Sequence, residues 1–88
     1  MHFEILQTGA EPSARFLNLS KANPWGNRTI SFGASHKATK FKSLEAAKRE
    51  SEILRRGGFS VHLIWVETSG HQAGSWGEVN HDFLERMA

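Results

Sequence analysis

The chain has 88 residues, 39% hydrophobic and 23% charged, and no cysteine. That is one domain, residues 1–88, with one modest core, and it excludes a disordered chain, disulfide staples and thiolate metal sites. The net charge of +2 hides a block: residues 12–44 carry Arg15, Lys21, Arg28, Lys37, Lys40 and Lys42 with no acid, and residues 57–88 set Arg86 against Glu67, Glu78, Asp82 and Glu85. Such a block attracts polyanions, either nucleic acid or an acidic protein face.

In chain order, residues 2–7 alternate weakly and read as a first strand. "TGAEPS" (residues 8–13) is a turn punctuated by Gly9 and Pro12. Residues 15–19 read as a second strand with Leu17 and Leu19 on one face. "KANPWGN" is a loop, because Pro24 and Gly26 both interrupt regular structure. Residues 28–32 read as a third strand with Ile30 and Phe32 inward. After a turn at 33–36, residues 37–41 read as a fourth, which makes an antiparallel meander.

A helix over residues 43–56 follows. Ser43 is its N-cap, Glu45 suits the positive end of the dipole, Arg55 and Arg56 suit the negative end, and Gly57 or Gly58 stops it. At ~100° per residue, Leu44, Ala46, Ala47, Ser51, Ile53 and Leu54 share the apolar half, and Glu50 falls among them. Phe59, Val61, Leu63 and Trp65 then form the helix-facing side of a long strand. Ile64 and Val66 give its other side an apolar character, so that face too is expected to be partly covered. A short strand is expected near residues 75–79. Asn80 caps a last helix with Phe83, Leu84 and Met87 as its apolar stripe. The fold class is therefore α+β: an antiparallel sheet of four to six strands on one main helix, with a short C-terminal helix.

The chemistry offered by single motifs is thin. Glu50 on an apolar arc reads either as an acid–base group with a raised pKa or, preferably, as a structural carboxylate paired with Arg28, Arg15 or His62, because an unpaired buried charge is too costly. His2, His36, His62, His71 and His81 show no ligand spacing, so no metal is expected. "AGSWG" lacks the first glycine of a nucleophile elbow, and the chain is too short for the parallel sheet an elbow needs. No phosphate loop or other cofactor motif is present. Trp25, in a Pro–Gly turn, either stacks on a base or protein partner or folds down over the sheet edge. Lys48 and Arg49 belong to a helix face laced with Glu45 and Glu52, at i, i+4 spacings. Arg28, Lys37, Lys40 and Lys42 have no acids near them in sequence, and a basic ribbon of this kind tracks phosphates or meets an acidic patch.

The order of elements, the small size and the "F-K-S-L-E-A-A" junction from strand to helix resemble small phage and mobile-element proteins, including anti-CRISPR inhibitors and the arm-type DNA-binding domains of phage integrases. The resemblance covers about half the chain. It implies a non-catalytic inhibitor that docks on a protein complex handling nucleic acid. The expected partner-binding residues come from the charge pattern and the Trp turn instead: Arg15, Trp25, Arg28, Lys37, Lys40, Lys42, Lys48 and Arg49. Direct nucleic-acid binding by the hairpin 28–42 and Trp25 is the alternative. A small enzyme built on Glu50 and histidines is the third reading. No stretch reaches the roughly 18 apolar residues of a membrane span, and "MHFEILQTG" shows no signal peptide, so the expected location is the cytoplasm.

Overall fold

A computed structural model describes residues 1–20, 24–26, 28–67 and 75–87. Lys21, His71, the first two residues of "AGSWG" and the side chain of Met87 lie outside the described residues. The elements run β1 (His2–Gln7), β2 (Phe16–Leu19), β3 (Ile30–Gly33), α1 (Leu44–Arg56), β4 (Val61–Val66), β5 (Trp76–Glu78) and α2 (His81–Met87), with 3-10 turns at Pro12–Ala14 and Ser35–Lys37. All five strands form one antiparallel sheet in the order β3-β2-β1-β4-β5. The chain is α+β as its pattern indicates.

β1 is the central strand, and both of its faces are covered. Phe3 and Ile5 point to the helix side, and Glu4 and Leu6 to the opposite side, all buried. Its longest pairing is with β4, in a register running from His2↔Val66 to Gln7↔Val61. That register places Phe3 beside Trp65 and Ile5 beside Leu63, so the helix-facing apolar residues of the two strands coincide.

α1 lies over β4 and β1. Its start follows from Ser43, whose hydroxyl accepts from the Ala46 N–H at 3.4 Å. Its stop follows from Gly58, at φ +94°, a left-handed conformation that only glycine takes without strain. Ala47, Ser51 and Leu54 are its buried residues. The first two are small, which lets the helix backbone approach the sheet, and the Ser51 hydroxyl is satisfied by donating to the Lys48 carbonyl at 2.8 Å. Burying a leucine such as Leu54 contributes about 1.5–3 kcal/mol. α2 closes the same layer. The Asn80 side chain accepts from the Phe83 N–H at 3.1 Å. The Phe83 ring stacks on Trp65 (centroids 6.2 Å, 13°) and meets Phe3 edge-on (6.1 Å, 81°).

Four expected details differ. The long strand begins at Val61, so Phe59 falls before it and is 38% exposed. Ile53 is 52% exposed and Ile30 is also exposed. α1 packs chiefly on β4 and β1, and of the two inward residues of β3 only Phe32 reaches the edge of the core, against Phe59 (ring centroids 5.6 Å), while Ile30 stays exposed. Leu84 is exposed too, which reduces the α2 stripe among the described side chains to Phe83. The expected strand at 37–41 becomes a 3-10 turn ending at Lys37 and a single antiparallel bridge, Phe41↔Phe3. The reason is local. β1 and β2 pair at Leu6↔Phe16 and then separate, and residues 39–41 enter the opening. Thr39 donates its N–H to the Leu17 carbonyl (2.9 Å) and its hydroxyl accepts from the Leu19 N–H (2.8 Å), while Phe41 exchanges both backbone bonds with Phe3 (2.7 and 2.8 Å).

Candidate binding surface

The basic residues divide between the two sides of the sheet. On the helix side, Lys48 and Arg49 share a shallow depression with Glu45 and Glu52. Acids and bases alternate there at helical spacing, so the surface is locally neutral and well solvated. Arg28, which precedes β3, donates from Nη1 to Glu50 Oε1 at 3.0 Å. The two side chains are 52% and 22% exposed. Glu50 is thus a half-buried carboxylate at the edge of the core, held by a base from the sheet, and no imidazole contacts it among the described residues.

The opposite side is different. Here Leu6, Phe16, Ile64 and Val66 form a second, smaller apolar cluster, and Ala38 packs against it. Above it opens a cavity of about 460 Å³ lined by Leu6, Phe16 and Ile64 from the sheet, Pro12 and Ser13 from the first 3-10 turn, Ala34 and Ser35 at the second, Trp76 from β5, and Arg15. Arg15 is fixed by its Nε, which donates to the Ala10 carbonyl at 3.0 Å. No carboxylate lines the cavity among the described residues. Glu11 stands beside the first turn and Glu78 opposite Ile64 in the register, both exposed and outside the lining.

Lys37, Lys40 and Lys42 follow directly from the second wall of this cavity. Lys37 ends the turn that begins with Ser35, and all three lysines are exposed. Phe41 turns to the helix-side core and Ala38 to the opposite cluster, so alternation carries Lys40 and Lys42 to the Ala38 side. None of the three forms an ion pair among the described residues. Trp25 is 82% exposed in the turn 24–26, with Gly26 at φ +82°. It does not fold down over the sheet edge.

No family model, curated protein or solved structure matches this chain. The site is therefore read from its own geometry.

The described histidines do not gather. His2 Nε2 donates to Glu4 Oε2 at 2.6 Å, His62 Nδ1 is hydrogen-bonded to the Thr8 hydroxyl at 3.1 Å, and His81 contacts Glu85 at 2.9 Å on the exposed side of α2. No group of three or more metal-ligating side chains gathers among the described residues. No helix among them is long and apolar enough to cross a membrane.

Two features escape a reading of the sequence by motif: Glu4, which is 1% exposed, and the cavity. The signal for Glu4 was present. It alternates with Phe3 and Ile5, so it shares the face of Leu6, and the apolar pair Ile64 and Val66 marks that face of the neighbouring strand as covered. A carboxylate on a covered face needs a partner, and His2, two residues away on the same face, supplies one.

Proposed function

We propose that this chain is a non-catalytic binding protein that docks on an acidic surface of a protein complex handling nucleic acid, in the manner of the phage-encoded anti-CRISPR inhibitors it resembles. The observation that carries this reading is the set Lys37, Lys40 and Lys42. These are three exposed bases on one short connector, without ion pairs among the described residues and beside an apolar cavity whose wall holds Arg15. The other bases of the expected surface have local company: Arg28 is held by Glu50, and Lys48 and Arg49 sit among Glu45 and Glu52. The contact surface accordingly contracts to the connector and the cavity side. A cytoplasmic setting fits a chain without cysteine.

The test is a pull-down from the native host, with and without nuclease, compared with the triple variant Lys37→Ala, Lys40→Ala, Lys42→Ala. The expected result is a protein complex that survives nuclease and is lost with the triple variant, at an unchanged fold. Retention by the triple variant would count against the connector. Direct binding of duplex DNA, with a log–log salt slope of about −0.9 per phosphate contacted, would favour a nucleic-acid module instead.

A further inference from the structure

The cavity is a site in its own right. Its volume of about 460 Å³ falls within the range of small-ligand pockets. It also suits one or two large side chains. Its floor is made of sheet residues that are already buried, Leu6 and Ile64. Its two walls are short 3-10 turns, closed internally by Ala14 N–H to Glu11 O at 2.9 Å and Lys37 N–H to Ala34 O at 3.0 Å, and joined to the sheet by Gln7 N–H to Arg15 O at 2.7 Å and Thr39 N–H to Leu17 O at 2.9 Å. The cup is thus preformed, and an occupant orders little of the protein on binding. Among the described residues the lining is apolar except for Arg15, Ser13 and Ser35. Arg15 uses Nε on the Ala10 carbonyl, which orients the guanidinium and leaves its two terminal nitrogens for an anion.

Resting on the reading of this chain as a protein-docking module, we propose that the cavity receives a large apolar side chain from an acidic segment of the partner, and that a carboxylate next to that side chain is held by Arg15. The pattern recognised is an aromatic or leucine anchor with Asp or Glu within one or two residues. The lysines of residues 37–42 continue the same charge preference outward along the partner segment. The occupant is a side chain of a protein partner because the cup opens beside the lysine connector, so one extended acidic segment reaches both.

The probe is the acetylated, amidated tetrapeptide Asp-Leu-Phe-Asp, titrated into the isotopically labelled protein. The readouts are the Trp76 indole N–H and the Arg15 Nε–H. The expected result is saturable movement of both signals, at least fivefold weaker binding when both Asp are replaced by Asn, and none when Leu-Phe is replaced by Ser-Ser. Arg15→Gln should remove the preference for Asp over Asn while keeping binding of the apolar pair. Ala34→Arg should block all binding, its fold checked by the same spectra. Equal binding of the Asp and Asn peptides, signal changes confined to other residues, or no binding up to millimolar peptide would each overturn the proposal. The docking reading is judged separately. Loss of the host complex with the triple lysine variant but not with Ala34→Arg leaves that reading standing and removes the anchor pocket. The reverse pattern keeps the pocket and removes the lysine surface.

Discussion

Gly77, in the middle of β5, offers a sharp test of the helix-side core. It pairs with Trp65 across the sheet edge. A Cβ added there would lie 2.9 Å from Trp65 Cζ2 and Nε1 and 3.0 Å from Cε2. Carbon contacts settle at about 3.5–4.0 Å, so the indole must retreat by roughly 0.5–1 Å. It has little room to do so, because it stacks on Phe83, which in turn meets Phe3 edge-on. Gly77→Ala is therefore an overpacking change worth about 1–3 kcal/mol, a fall in melting temperature of roughly 4–20 °C for a domain of this size. Gly33→Ala is the matched control in β3: nothing lies within 4 Å of its added Cβ, and a neutral effect or a gain of up to about 1 kcal/mol follows from the stiffer unfolded chain. Thermal melts followed by near-ultraviolet circular dichroism read both stability and the indole environment. A Gly77→Ala protein that melts with the parent, or two glycine variants that shift alike, would refute the packing of Trp65 between β5 and Phe83.

Two further expectations concern α1. Leu54→Ala should cost about 2–5 kcal/mol in chemical denaturation because Leu54 is 2% exposed in the core, whereas Ile53→Ala, one residue away on the uncovered side, should stay within about 0.5 kcal/mol; similar losses at both positions would show that the helix is rotated. A double-mutant cycle on Arg28→Ala and Glu50→Ala should return a coupling below about 1 kcal/mol, given how open both groups are to solvent. A much larger coupling would mean that Glu50 is held in a drier site than the fold provides.

What was legible in the sequence and what was not separate along physical lines. The bounds of α1 could be read because Ser43 and the two glycines act within a few residues of themselves. The two faces of β4 could be read because strand alternation is local as well. Ile53 and Ile30 could not be placed, since periodicity gives the direction of a side chain but not whether another layer lies in that direction. Residues 37–41 had the composition of a strand, but whether they pair depends on β1 and β2 parting after Leu6 and Phe16, a non-local event. The surface was half legible for the same reason. Arg28 has no acid near it along the chain, and its pairing with Glu50, one of three partners expected for that carboxylate, is selected only by the fold, whereas Lys37, Lys40 and Lys42 stay without ion pairs among the described residues. The cavity needs three separate segments to meet above the sheet, and no single stretch announces it.

The central strand β1 pairs most extensively with β4, which lies about sixty residues further along the chain. During translation the sequence FEIL must therefore wait, half apolar and without its main ladder, while the meander and the helix emerge. Closing that long loop is the entropically demanding step of assembly, so the sheet should gain its central order late and in one event, when Val61–Val66 arrives alongside β1.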